Sequence, residues 1–273
     1  MINLEFLEFL EYLGGYTSNI PIWGISLVLS YLLVLIFSLE KAVRKGIPRE
    51  DIFNVVSISF IFGLISARIM YLYIMQENLD FLNIFNWKAI FYQGELSVVG
   101  GYLGGLLSGW MYLQGFNAMY RFKISWLRFF DTFLPIIVIG MIFGYLGIFS
   151  ITFNKGALST AEYPWLIMSG DNYVHPWALY VTIGYLILFI IISRLYNKLY
   201  STTISGYITT YFVIGVSLIH FITDFWRTTN LQYSGSRING LTISQLIFLF
   251  IIFITILVSL FIKTKSSHTK QIL

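Results

Sequence analysis

Residues 243–262 read Ile-Ser-Gln-Leu-Ile-Phe-Leu-Phe-Ile-Ile-Phe-Ile-Thr-Ile-Leu-Val-Ser-Leu-Phe-Ile, without a single charged side chain. A helix needs about 20 such residues to cross the hydrocarbon core of a bilayer, so this stretch predicts a membrane span. Working back toward the N-terminus, six more stretches have the same character, at 20–39, 52–75, 96–113, 132–153, 177–193 and 206–225. The expected fold is therefore an all-α membrane protein of seven transmembrane helices. Composition agrees: of 273 residues 57% are hydrophobic and only 11% charged, where a soluble domain carries about 25% charged residues. That balance excludes a soluble enzyme, a nucleic-acid-binding module and a disordered tail. The absence of cysteine excludes disulfides, thiolate metal sites and a cysteine nucleophile on this chain.

The basic residues orient the bundle. Lys41, Arg44, Lys45 and Arg49 follow the first segment, Arg121, Lys123 and Arg128 the third, Arg194 and Lys198 the fifth, and Lys263, Lys265 and Lys270 end the chain. Lys88, Lys155, Arg227 and Arg237 fall on the opposite side. The richer side is expected to be cytoplasmic, which puts the N-terminus outside and the C-terminus inside. Residues 1–19 hold Glu5, Glu8 and Glu11 and no basic residue, so they do not read as a cleavable signal peptide. They read either as a short amphipathic helix on the outer leaflet or as a disordered cap. The expected organisation is this segment at 1–19, a membrane domain at 20–262 and a basic cytoplasmic tail at 263–273.

Polar groups inside a membrane are costly and mark candidate sites. Arg68 lies within the second segment, where its guanidinium either meets a phosphate, carboxylate or water or snorkels to the headgroups. His220, Asp224 and Arg227 are spaced by four and three residues, which places them on one helix face. Such a trio can hold a phosphate through Arg227 and supply a proton acceptor, or can be an ion pair that anchors the helix end. Arg237 follows in a polar stretch from 230 that could fold over the site as a lid. His175 precedes Pro176 and Trp177 at the head of the fifth segment, near Tyr180, and reads as a candidate base or as a helix cap. Glu95, at the head of the third segment, is another candidate base. Gly100, Gly101, Gly104, Gly105 and Gly109 in the third segment, with Gly140, Gly144 and Gly147 in the fourth, read either as close helix-packing faces or as a cradle for lipid headgroups. Three histidines, of which His268 lies in the tail, offer no metal-ligand spacing, and no metal or cofactor is expected.

These segments occur in the order of a known family. Ile20-Pro21-Ile22-Trp23-Gly24, Ser66-Ala67-Arg68-Ile69-Met70-Tyr71, Gly94-Glu95-Leu96-Ser97-Val98-Val99-Gly100-Gly101, His175-Pro176-Trp177-Ala178-Leu179-Tyr180, Asp224-Phe225-Trp226-Arg227 and Leu241-Thr242-Ile243-Ser244-Gln245 are similar to successive motifs of bacterial prolipoprotein diacylglyceryl transferase. The resemblance covers nearly the whole chain and implies a seven-helix enzyme of the bacterial cytoplasmic membrane. It departs from the family in the fourth segment, where Gly-Arg-x-Gly-Asn-Phe lines up with Gly144-Tyr145-Leu146-Gly147-Ile148-Phe149. The family arginine is Tyr145, its asparagine Ile148, a following acid Phe153, the histidine of the third motif Val99, and an early tyrosine Trp23.

The family reaction moves a diacylglyceryl group from phosphatidylglycerol to a lipobox cysteine. It needs a base to make the thiolate and fixed cations for the glycerol phosphate that leaves. By resemblance Arg68, Arg227 and Arg237 remain to hold phosphate, beside Gly100, Gly101, Gly144, Tyr145, Tyr180 and His220. Glu95, His175, His220 and Asp224 remain to take a proton. Three readings follow: a divergent lipid-to-protein transferase, a catalytically silent relative that binds phospholipid or a lipoprotein as a subunit of a membrane complex, and an unrelated transporter or channel. The chain shows no internal repeat of transporter type, which counts against the third.

Overall fold

Long apolar stretches with no water to satisfy their backbone must wind into helices, and most of this chain does so. The computed structural model describes residues 22–75, 80–86, 88, 90–91, 96–115, 125–152, 156–160, 163–169, 172–199, 205–227 and 237–270. Among them, α1 spans Ile22–Arg44, α2 Arg49–Met75, the short α3 Phe81–Ile84, α4 Val98–Gly115, α5 Trp126–Thr152, α6 Trp177–Leu199, α7 Tyr207–Thr223 and α8 Ile243–Lys270. Six of these, α1, α2, α5, α6, α7 and α8, are long and apolar enough to cross a membrane. The expected third span folds as the 18-residue α4 but is not one of the six. Its glycines, with Tyr102, Trp110, Tyr112 and Gln114, dilute the apolar character.

Those glycines let α4 lie against α2. A Cβ built on Gly100 would stand 2.6 Å from the Ser66 carbonyl oxygen and 2.6 Å from the Met70 Cβ, and one on Gly104 would overlap the Ser66 side chain. On that face the helix backbones touch, so the packing reading accounts for Gly100 and Gly104. Elsewhere α1 packs on α5, α5 on α6, α6 on α7 and α7 on α8. One apolar core joins α1, α2, α4 and α5 around Ala42, Ile52, Leu113 and Phe133. A second joins α5, α6 and α7 around Val138, Tyr145, Val181, Tyr185 and Val216. Exposed Ile187 and Ile190 on α6 and Phe250, Phe253 and Leu257 on α8 form the apolar outside that lipid would cover.

The all-α expectation needs one addition, because two small sheets gather at one end of the bundle. Between α5 and α6, β1 (Leu158–Ser159), β2 (Ile167–Ser169) and β3 (Asn172–Val174) form an antiparallel sheet in the order β1-β3-β2, with Leu158 and Ile167 both paired to Val174. Between α7 and α8, β4 (Arg237–Ile238) and β5 (Leu241–Thr242) form a hairpin whose turn residues Asn239 and Gly240 have φ of 51° and 82°. Asn-Gly suits that two-residue turn because both positions need positive φ. Thr242 and Gln245 then close a capping box on α8: the Gln245 N–H donates to the Thr242 hydroxyl at 3.1 Å and the Thr242 N–H to the Gln245 side-chain carbonyl at 2.9 Å. At the opposite end, buried Asp131 of α5 caps α7 by accepting from the Gly206 and Thr209 N–H groups at 2.7 and 2.8 Å and from the Thr209 hydroxyl at 2.7 Å.

Residues 1–19 lie outside the described residues, as does the stretch expected to form a lid, 230–237, except for the backbone of Arg237 in β4. Of the expected tail, residues 263–270 continue α8.

Candidate functional site

The chain leaves α7 through a tight 3-10 turn, Asp224–Trp226. Asp224 is buried, accepts a hydrogen bond from the Thr242 hydroxyl, and lies 3.6 Å from the Arg227 guanidinium. Arg227 also stands over the Trp177 ring, 5.4 Å from its centroid, at the first residue of α6. Its cation is thus held between a carboxylate and an aromatic face while its side chain stays partly exposed.

His220 takes other partners. Its Nε2 is 2.7 Å from the Tyr185 hydroxyl and 3.3 Å from that of Tyr102, and those two hydroxyls are 2.6 Å apart. Phe248 of α8 stacks on the imidazole with centroids 4.9 Å apart and planes at 10°. The expected trio therefore divides into an Asp224–Arg227 pair at the end of the bundle and a His220 cluster inside it. Tyr145 packs against the Tyr185 and His220 rings at 5.4 and 5.6 Å. Its buried hydroxyl has no hydrogen-bond partner among the described residues.

His175 and Tyr180 meet beside this pair, with Nδ1 and the phenol oxygen 3.1 Å apart, and the Trp226 ring packs against both. Burial lowers the His175 pKa below its ordinary 6.5, so the ring is neutral at pH 7 and can accept a proton. What joins His175 to Arg227 is Gly156. Its backbone forms an antiparallel bridge with Arg227, the next N–H, of Ala157, donates to the Trp226 carbonyl at 2.8 Å, and the His175 N–H donates to the Ala157 carbonyl at 3.0 Å. A Cβ on Gly156 would stand 1.7 Å from the His175 carbonyl oxygen, so only glycine fits this seam.

Arg68 is 2% exposed, donates from Nε to the Asn83 carbonyl at 3.0 Å and lies over the Tyr71 ring, so it is packed into the protein and does not snorkel. The Ser97 N–H donates to the Ala67 carbonyl at 2.9 Å, tying the start of α4 beside it. A Cβ built on Gly101 would stand 3.6 Å from the Ala67 Cβ of α2, and one on Gly144 3.7 Å from the Ser30 hydroxyl of α1. Val99 is buried and Ile148 packs on the second core. Glu95 and the Arg237 side chain lie outside the described residues.

Sequence reasoning passed over Gly156, Tyr102 and Tyr185, and gave no role of their own to Trp177 or to the Thr242–Gln245 box, which it met only within motifs. Only the last carried a local signal, Thr-x-x-Gln before an apolar run.

A model of prolipoprotein diacylglyceryl transferase matches residues 14–261. The chain is 29% identical over 221 residues to the phosphatidylglycerol–prolipoprotein diacylglyceryl transferase of Clostridioides difficile, covering 79% of this chain and 82% of that one. It is 27% identical over 226 residues to the enzyme of the same name from Clostridium botulinum, covering 79% and 84%, and 23% identical over 231 residues to that of Finegoldia magna, covering 80% and 84%. With its six apolar helices and this match along nearly its whole length, the chain belongs to the prolipoprotein diacylglyceryl transferase family, as a multi-pass protein of the bacterial cytoplasmic membrane.

Proposed function

We propose that this protein transfers a diacylglyceryl group from a phospholipid, phosphatidylglycerol, to the cysteine thiol of a prolipoprotein. The observation that carries the reading is the seam at Gly156, which sets a neutral, partly buried histidine beside an arginine clamped by Asp224. In this arrangement Arg227, with Arg68 and Arg237, holds the lipid phosphate, and His175 or Glu95 takes the thiol proton. The thiolate sulfur bonds to the glycerol carbon as the carbon–oxygen bond to phosphate breaks, and the glycerol phosphate leaves with the electron pair, its charge met by the guanidinium. Gly101, Gly144, Tyr180 and His220 shape the lipid's surroundings. The bundle crosses the membrane seven times, with α4 as the third crossing, the N-terminus outside, residues 1–19 on the outer leaflet and 263–273 in the cytoplasm. The one-sided distribution of Lys and Arg and the length of α4, 18 residues, support this topology.

A second reading has its own support. Tyr145, Ile148 and Val99 stand where the family's arginine, asparagine and histidine are expected, and all three pack in the apolar interior. On that reading the protein binds phospholipid or a lipoprotein without transferring the group, as a subunit of a membrane complex. Both readings need a lipid phosphate at Arg68 and Arg227. Purified Arg68→Leu and Arg227→Ala proteins should each retain less anionic phospholipid than wild type, with Arg68→Lys only partly restoring it because a bidentate grip is lost. Unchanged lipid content in these variants overturns the site. Modification of a lipobox cysteine peptide separates the two readings.

A further inference from the structure

Tyr145 sits inside the bundle at 5% exposure, and its hydroxyl is the one buried side-chain polar atom among the described residues that lacks a hydrogen-bond partner. Leaving a polar group buried and unsatisfied costs free energy, and native structures rarely keep one without a use. Its neighbours are already engaged. Tyr185 can give its proton to His220 Nε2, and Tyr102 can give its proton to the Tyr185 oxygen, which leaves the trio satisfied within itself. The Tyr145 hydroxyl lies outside that chain of bonds, flanked by the Tyr185 and His220 rings.

The levels of these groups define what they can bind. Arg227 lies past the end of α7, whereas Tyr145 packs on the ring of His220, which lies inside α7 about one helical turn before its end. Charge is thus gathered at the end of the bundle and neutral hydroxyls lie below it. A phenol gives one hydrogen bond and no charge, so it is a poor holder of phosphate and a good partner for a neutral carbonyl oxygen. In a phospholipid the two ester carbonyls lie between the phosphate and the acyl chains.

Resting on the lipid site proposed above, we infer that the Tyr145 hydroxyl donates to an ester carbonyl of the glycerolipid whose phosphate meets Arg227. The site then reads two chemical features of its ligand, the anion and the ester linkage. The occupant is an ester-linked diacyl lipid, and an ether-linked lipid with the same headgroup is the inferior ligand.

The test is a two-by-two comparison on the full chain in detergent. Competition binding is measured for phosphatidylglycerol with ester-linked chains and for its ether-linked counterpart of equal chain length, on wild type and on Tyr145→Phe. Wild type should prefer the ester form about fivefold, the weight of one net hydrogen bond. Tyr145→Phe should lose that preference by binding the ester form more weakly while binding the ether form as before. Because the substitution removes only an unsatisfied hydroxyl, its melting temperature should equal or exceed that of wild type. Equal binding of the two lipids by wild type, or an undiminished ester preference in Tyr145→Phe, overturns this inference while leaving the lipid site standing. Failure of wild type to hold either lipid overturns both together.

Discussion

Replacing Gly156 by alanine tests the seam that joins the two halves of the candidate site. The new Cβ would stand 1.7 Å from the His175 carbonyl oxygen, 2.7 Å from its carbon and 3.0 Å from its nitrogen. All three are backbone atoms, which cannot swing aside as a side chain can. Ordinary contact begins at 3.4 Å, so the strands must part by about 1.7 Å for such atoms to clear each other. The flanking hydrogen bonds, 2.8 Å from the Ala157 N–H to the Trp226 carbonyl and 3.0 Å from the His175 N–H to the Ala157 carbonyl, do not survive that separation. Two lost bonds at about 0.5–1.5 kcal/mol each give about 1–3 kcal/mol of destabilisation. Thermal unfolding in detergent reads the stability, and phospholipid bound per protein reads the site. Gly115→Ala is the control, since among the described residues nothing lies within 4 Å of a Cβ there. We expect Gly156→Ala to melt lower and to lose lipid while Gly115→Ala matches wild type. If the two variants behave alike, the seam does not hold Arg227 to His175.

Three further outcomes follow from the same geometry. Asp131→Ala removes three hydrogen bonds from the buried start of α7 and should cost about 3 kcal/mol in thermal unfolding, with Asp131→Asn recovering part of it. Asp224→Asn should weaken phospholipid retention less than Arg227→Ala, because the cation remains when its orienting carboxylate is neutralised, and the double variant should match Arg227→Ala since the two act as one unit. Equal loss of melting temperature with lipid content untouched would make the pair a structural anchor. His175 has a lowered pKa in the folded protein, so as pH falls below about 6.5 the unfolded chain takes the proton first. Stability should therefore decline from there until the folded ring protonates, and melting curves across pH should show His175→Gln lacking that decline.

The helices were legible because apolar length alone dictates them, and residues 243–262 carry that signal without interruption. The 96–113 segment was harder to read because its glycines serve contact with Ser66 and Met70 at the expense of hydropathy. Spacing put His220, Asp224 and Arg227 on one face, but their partners come from other elements, Tyr102 from α4, Tyr185 from α6 and Thr242 from β5. Such cross-chain contacts leave no trace in local spacing. Gly156 shows the same limit: its necessity comes from a backbone 19 residues away in sequence. The strands β1 to β3 are two or three residues long, too short for an alternating pattern to mark them.

Group transfer is read from the mass of an acceptor. Purified protein is incubated in phosphatidylglycerol vesicles with a synthetic peptide bearing a lipobox cysteine, and the peptide is followed by mass spectrometry. The expected result is a gain of one diacylglyceryl group on the thiol, slow because Tyr145, Ile148 and Val99 replace charged and polar groups, and abolished in Arg227→Ala. A peptide that stays unmodified while the protein holds phosphatidylglycerol would contradict transfer and leave lipid binding as the function.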